Sequence, residues 1–235
     1  MKLSIIIPVF NEEKNLLNLF NEIKKNFDSF VNYDVIIVDD NSTDGSLKIL
    51  KFLNKKKNFK VIFLKENNRD LSQSVIIGIK KSKSNFIAVM DGDLQHRPKD
   101  LLRMYKYFIK KSNIDILVGC RDMNSSKNLK MSNIRLFSSK LLIFFVKIML
   151  GHKSQDPMSG MFIFKKDLMK YSNDFYAKGF KILLDFMYSS KKQINIKDFK
   201  INFDKRYFES SKISLKVLYH IIISVFIKKI SKFSL

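Results

Sequence analysis

Two apolar runs in this chain end in acid. Val35-Ile-Ile-Val38 stops at Asp39-Asp40, and Phe86-Ile-Ala-Val-Met90 stops at Asp91-Gly92-Asp93. Short β-branched runs bounded by polar residues read as buried strands of a parallel sheet, and ligands bind beyond the carboxyl ends of such strands. Carboxylates gathered there repel one another unless a cation sits among them. A hard divalent cation that also carries phosphate oxygens meets that need, because it takes oxygen ligands. Gly92 lets a ligand come close to the backbone between the two acids. The chemistry these residues advertise is a metal–diphosphate site, with Asp40 suited to accept hydrogen bonds from a ribose or a base.

The elements that must carry these acids follow from periodicity. Leu3–Val9 reads as a first strand, broken by Pro8, and a helix from Glu12 to Phe27 puts Leu16, Leu17, Phe20 and Ile23 on one face. Further strands at Asp34–Asp39, Val61–Leu64, Phe86–Met90 and Ile114–Gly119 alternate with helices to Lys56, over Leu71–Lys81 and from Pro98 to Lys111. Ser42 and Asp44 are candidate caps of the second helix, and Pro98 suits the first turn of the fourth. Strands alternating with helices predict a parallel, doubly wound α/β sheet.

After Arg121 the pattern changes. Residues 122–130 are polar and read as a mobile loop, and Met131–Leu150 as a helix whose second half is apolar. A turn at Asp156–Gly160, a strand at Met161–Phe164, a helix around Phe180–Ser190 and a strand around Ile194–Phe203 follow. The end, Ile213–Ile230, reads as an apolar helix, which divides the chain into a domain over 1–212 and a C-terminal amphipathic helix over 213–235. A bilayer span needs about 20 apolar residues. Leu141–Val146 lies between Lys140 and Lys147, and Val217–Ile227 contains His220 and ends at Lys228-Lys229, so both helices suit a core or a membrane surface.

Composition narrows the classes. The lone cysteine, Cys120, excludes a disulfide framework, and His96, His152 and His220 are too scattered for a zinc site. No signal-peptide pattern precedes the first strand, so a cytoplasmic location is expected. The net charge is +22, of which residues 1–100 (17 basic, 13 acidic) hold +4 and the remainder +18. An excess in one half implies an anionic partner there: lipid headgroups, phosphates or nucleic acid. A G-x-G-x-x-G after the first strand and a G-x-x-x-x-G-K-[ST] are both missing, which argues against a dinucleotide-binding Rossmann domain and a P-loop enzyme.

Six ordered segments carry a resemblance. Ser4-Ile-Ile-Ile-Pro-Val-Phe-Asn-Glu12, Ile37-Val-Asp-Asp-Asn-Ser-Thr-Asp-Gly45 and Met90-Asp-Gly-Asp-Leu-Gln-His-Arg-Pro98 come first, then Val118-Gly-Cys-Arg-Asp122, Asp156-Pro-Met-Ser-Gly160 and Arg206-Tyr-Phe-Glu-Ser-Ser-Lys212. Together they resemble family 2 glycosyltransferases of the GT-A fold, above all the dolichyl-phosphate mannose synthase and polyprenyl-phosphate glycosyltransferase branch. The resemblance implies a mostly parallel sheet flanked by helices. It implies a nucleotide pocket from Pro8, Phe10, Glu12 and Asp40, and Mg2+ or Mn2+ held against the diphosphate by Asp91, Asp93 and Gln95. Ser159 and Gly160 would line the sugar site, with Asp185 at an acidic position near it, and Arg121, Arg135, Arg206 and Lys212 would face phosphate. Asp93, Arg121 and Asp185 are thus the catalytic candidates, and His96 reads as structural. Two departures stand out: Glu209 replaces the glycine usual between Arg206 and Lys212, and Arg69-Asp-Leu-Ser72 replaces a glycine-rich segment.

The expected activity is inverting transfer of a sugar from GDP-mannose or a UDP-sugar to a polyprenyl or dolichyl phosphate at an anionic membrane surface, on the cytoplasmic face. Transfer to a hydroxyl needs a general base, whereas a lipid phosphate is already an anion and needs cations to hold it. The basic second half fits the second demand. The competing enzyme reading transfers to a saccharide hydroxyl in cell-envelope polysaccharide, with Asp185 or Asp156 as base. A basic nucleic-acid-binding protein is the non-enzyme alternative, but no RNP-like, helix-turn-helix or zinc-finger pattern accompanies the charge, so no nucleic acid partner is expected.

Overall fold

The computed structural model describes residues 2–65, 70–121, 133–171, 182–189, 193–204 and 215–233. Seven strands form one sheet in the order β3-β2-β1-β4-β6-β5-β7. They are β1 (Lys2–Val9), β2 (Asn32–Asp39), β3 (Phe59–Phe63), β4 (Phe86–Val89), β5 (Ile116–Arg121), β6 (Phe162–Lys165) and β7 (Ile196–Ile201). The helices are α1 (Glu13–Phe27), α2 (Ser46–Leu53), α3 (Leu71–Lys81), α4 (Pro98–Phe108), α5 (Asn133–Leu150), α6 (Ile182–Tyr188) and α7 (Leu215–Phe233). β1, β2, β3 and β4 run parallel, as do β5 and β7. β6 lies antiparallel between β4 and β5, so the sheet is mostly parallel, as the family resemblance implied. The turn at Asp156–Gly160 brings the chain back from α5, so β6 enters the sheet from its opposite end.

Two buried apolar layers cover the two faces of the sheet. α1, α2 and α4 close one face over Leu3, Ile5, Ile7, Val35 and Ile37. α3, α5, α6 and α7 close the other over Ile6, Ile36, Val38, Ile87 and Val118. The alternation of Ile5, Ile6 and Ile7 between the two layers is the period-2 rule of a strand buried on both sides. On α1 the buried stripe is Leu16, Leu19, Ile23 and Phe27, while Leu17, expected inward, is exposed. The i, i+3, i+7, i+11 spacing of that stripe follows the helical period more closely.

Local signals set several element ends. Asp70 caps α3, its carboxylate accepting from Ser72 N at 2.9 Å and Gln73 N at 3.3 Å, which gives the Arg69-Asp-Leu-Ser72 departure a structural role. Pro98 opens α4 with Asp100 in its first turn. Asp44 accepts from Ser46 N at 2.9 Å at the start of α2, whereas Ser42 turns back to Asp39 instead. The predicted mobile loop at 122–130, Arg206, Glu209 and Lys212 lie outside the described residues.

Candidate active site

Chain order reverses between β1 and β4: β2 and β3 extend the sheet on one side of β1, and β4 begins the other. A crevice forms beyond the carboxyl ends of the strands at such a switch point. β4 stops pairing with β1 at Ile6↔Val89, followed by the bond Met90 N→Ile6 O at 3.1 Å. Pro8 stands beyond that point on β1, where its lack of an N–H leaves no ladder bond unmade on that side. The tails of β1, β2 and β4 therefore deliver Phe10, Asp40 and Asp91 to one edge of the sheet.

The ends of β1 and β2 continue into a laced pair of turns. Asn11 and Asn41 follow β1 and β2 with φ of 53° and 59°, a left-handed conformation that asparagine tolerates. Asn11 N donates to Ser42 Oγ at 2.9 Å, Thr43 N donates to Asn11 Oδ1 at 2.7 Å, and Glu12 N donates to Ser46 Oγ at 2.9 Å. Glu12 is buried and accepts from Asn15 Nδ2 at 2.7 Å. The two neighbouring aspartates differ. Asp39 accepts from Ser42 Oγ at 2.5 Å and from Ser42 N, and burial raises its carboxyl above the usual range against those hydrogen bonds. Asp39 thus shapes the turn, and Asp40 follows it, buried, with its N–H donating to Val9 O at 2.8 Å.

The other acids of this edge stand on the loop after β4. Gly92 packs on the tail of β1, near Val9, Ile7 and the Pro8 carbonyl. Asp93 is buried and accepts from Gln95 N at 3.1 Å. Leu94 adopts φ 61°, a left-handed conformation that costs a branched residue about 1–2 kcal/mol and so marks a loop whose shape is imposed by its surroundings. Gln95 Nε2 donates to Asp204 O at 3.1 Å, which engages the nitrogen end of the amide and makes its oxygen the end a hard cation could use. Gly160 meets Asp91 so closely that a Cβ there would lie 2.2 Å from Asp91 Oδ2. Among the described residues no three His, Cys, Asp or Glu side chains form a metal cage. Two carboxylates and one amide oxygen instead suit an Mg2+- or Mn2+-type ion that draws its remaining ligands from diphosphate and water.

Arg121 ends β5 beside this loop and pairs with Asp156, Nε to Oδ2 at 2.6 Å and Nη2 to Oδ1 at 2.9 Å. Burial opposes its charge, but the carboxylate of Asp156 and then that of Asp91 hold the guanidinium above its ordinary pKa. Its plane lies over Phe203, 5.3 Å from the ring centroid. Ser159 is buried and donates to Gly119 O at 2.6 Å, so its hydroxyl ties the Asp156–Gly160 turn to β5 while Gly160 abuts Asp91. Asp185, on α6, is bound to Lys228 of α7 at 2.5 Å, inside the protein. Arg135 lies on α5.

Spacing gave no hint of the partners across the chain. Asp204 forms a two-pronged ion pair with Arg97, Nε to Oδ2 at 2.5 Å and Nη2 to Oδ1 at 2.6 Å, and Asp204 N donates to Gln95 O at 3.0 Å. The chain just after β7 is thereby sewn to the loop after β4, directly before the segment that carries Arg206 and Lys212. Only an exposed acid after a strand could have hinted at this in the sequence.

The fold recurs in solved structures. Glucosyl-3-phosphoglycerate synthase from Mycobacterium tuberculosis superposes with a TM-score of 0.71 at 13% identity, covering 97% of this chain and 79% of the other. TarS 1–349 of S. aureus superposes with a TM-score of 0.62 at 23% identity, covering 97% and 65%. In sequence, the dolichol-phosphate mannosyltransferase of Pyrococcus furiosus is 33% identical over 81% of this chain, and the chain spans 53% of that relative's length. The dolichol-phosphate mannosyltransferase of Mycosarcoma maydis is 29% identical over 92% of this chain and 75% of its own. The sequence model of "Glycosyl transferase family 2" matches residues 4–172, an interval that holds Asp40, Asp91, Asp93, Arg121 and Gly160. The chain belongs to glycosyl transferase family 2.

Proposed function

We propose that this protein transfers a sugar from a nucleoside-diphosphate sugar to a polyprenyl or dolichyl monophosphate, with Mg2+ or Mn2+, at the cytoplasmic face of a membrane. The observation that carries this reading is the state of the two acids that a hydroxyl acceptor would need as base. Asp156 is held in a two-pronged pair with Arg121, and Asp185 in a buried pair with Lys228. A carboxylate locked to a cation is a poor proton acceptor, because protonation would forfeit the pair. A phosphate acceptor needs no base. The two mannosyltransferase relatives, named for dolichol phosphate, support the same acceptor class.

In this reading Asp40 and Glu12 bind the nucleoside, with Pro8 and Phe10 against it, and Asp91, Asp93 and Gln95 hold the cation. A cation held there would supply charge to neutralise the leaving diphosphate. Arg121 adds positive charge beside Asp91, and Ser159 and Gly160, which leaves room for the Asp91 carboxylate, border the sugar. Arg135, Arg206 and Lys212 grip the acceptor phosphate, and its oxygen displaces the diphosphate with inversion at the anomeric carbon. No helix among the described residues is long and apolar enough to cross a membrane, so contact with the bilayer falls to exposed apolar residues of α5 and α7.

A panel of nucleotide sugars with polyprenyl phosphate, Mg2+ or Mn2+, and detergent tests the activity. Lys212→Ala is expected to raise KM for polyprenyl phosphate roughly ten- to a hundredfold, from a charge-assisted contact of about 1.5–3 kcal/mol, and to leave KM for the donor near wild type. A change confined to the donor constant would put Lys212 on the diphosphate. Transfer to saccharide but never to lipid phosphate would move the protein to the hydroxyl-acceptor reading, towards which its 24% identity to the S. aureus poly(ribitol-phosphate) beta-N-acetylglucosaminyltransferase TarS points.

A further inference from the structure

His96 lies in the metal loop, and none of the roles above uses it. Its side chain is 2% exposed, yet neither ring nitrogen has a hydrogen-bond partner. Buried polar side chains are nearly always partnered, so an imidazole with both nitrogens unsatisfied calls for a reason. The ring sits against the chain that follows β7. Its edge packs on Phe203 at 5.1 Å and 68°, and residues 96 and 203 bridge as a short antiparallel pair. On either side of it Gln95 and Arg97 are bound to Asp204. Among the described residues the acid beside it is Asp91, whose Oδ2 lies 3.3 Å from Nδ1 without hydrogen-bond geometry.

Asp91 is confined from the other side as well. The same Oδ2 abuts Gly160, where a Cβ would stand 2.2 Å away. The left-handed turn at Leu94 folds the loop back so that residues 91 and 96 meet. The carboxylate therefore sits between a glycine backbone and an unsatisfied imidazole, a small rotation away from accepting a hydrogen bond.

We propose that His96 is a positioning residue for the metal ligand Asp91: its Nδ1–H donates to Oδ2 when the loop is loaded. That bond fixes the carboxylate rotamer and presents the remaining oxygen to the cation. Groups that orient metal ligands in this way are worth about ten- to a hundredfold in metal affinity. The proposal rests on the reading of Asp91 and Asp93 as metal ligands.

Three substitutions separate donor position from packing. His96→Phe keeps a ring against Phe203 and removes both nitrogens. His96→Asn places an amide N–H near the Nδ1 position, and His96→Gln places it near Nε2. Free Mn2+ is followed by electron paramagnetic resonance as it is titrated into the full chain with GDP or UDP present, and melting temperatures are recorded alongside. The expected result is a Kd for Mn2+ raised about tenfold in His96→Phe and His96→Gln, and within about threefold of wild type in His96→Asn. If His96→Phe melts well below wild type, the Asn and Gln pair decides. Equal Mn2+ affinity in Asn and Gln, or wild-type affinity in a folded His96→Phe, overturns the proposal. A wild-type protein that binds no Mn2+ with either nucleotide overturns the metal-ligand reading itself, and the proposal with it.

Discussion

At the scale of single residues, neighbours of one type perform different work here. Asp39 and Asp40 are adjacent acids at one strand end, but Asp39 folds back on Ser42 while Asp40 N donates to Val9 O. Burial raises the folded-state pKa of Asp39 above its unfolded value, so its ionised form destabilises the fold at neutral pH and the penalty disappears once both states are protonated. Asparagine keeps an oxygen for Ser42 without the charge. Asp39→Asn is therefore expected to be as stable as wild type or more stable at pH 7, with the difference vanishing as pH falls through the carboxylate range. Asp40→Asn should leave stability alone and weaken nucleotide binding. Chemical denaturation at pH 3 and pH 7, with calorimetric titration of GDP and UDP, checks both, and a stability loss in Asp39→Asn at pH 7 would refute the assignment. The sequence made the acids themselves legible, because strand ends and turn residues are written locally. Their partners were not legible. Arg121 finds Asp156 and Arg97 finds Asp204 only through the sheet, and a lone acid in a sequence does not name its cation.

At the scale of elements, the β-α alternation was readable as far as β5, since each run carried its own period and caps. β6 was readable as a strand, but its four residues carry no direction in their pattern. Direction is decided by which end of the sheet the preceding turn reaches, and that turn is fixed by Arg121–Asp156 and by Ser159 donating to Gly119 O. α7 gives a second case. Lys228 and Lys229 looked like a basic pair beside an apolar helix, but Lys228 is 2% exposed, bound to Asp185 and Ser189 of the α6 region. Only Lys229 of that pair reaches solvent in part. A buried ion pair stripped of one partner leaves an uncompensated charge and costs about 3–5 kcal/mol, whereas an apolar pair of similar volume can be neutral. Lys228→Met is accordingly expected to lose about 3–5 kcal/mol in chemical denaturation, and Lys228→Met with Asp185→Leu to recover most of it. A neutral single substitution would mean that the pair does not hold α7 to the domain.

At the scale of the whole molecule, two surfaces differ in chemistry. One is the switch-point crevice, where acids gather beyond the strand ends. The other is an apolar face shared by α5 and α7, which pack against each other. Leu141, Phe144 and Ile148 recur at i, i+3 and i+7 on α5 and are 59%, 61% and 62% exposed. Phe226, Ile227 and Ile230 add 47%, 43% and 64% exposure on α7. Single exposed apolar side chains are ordinary, but two adjacent helices presenting such a row amount to a contact surface. The second half of the chain also carries +18 of the +22 net charge. An apolar row among basic side chains suits the interface of an anionic bilayer, where buried apolar area and headgroup attraction add. The full chain is expected to float with liposomes containing anionic lipid at low salt, and to float less, but still measurably, at high salt, because screening removes only the electrostatic part. Phe144→Glu with Ile230→Glu should abolish flotation at both salts. Both side chains already face water, so the melting temperature should stay within a degree or two of wild type. A double variant that floats like wild type would place the bilayer contact elsewhere. A wild-type protein that never floats would make a water-soluble acceptor the better reading, because a polyprenyl chain has to be met where it is dissolved, in the membrane.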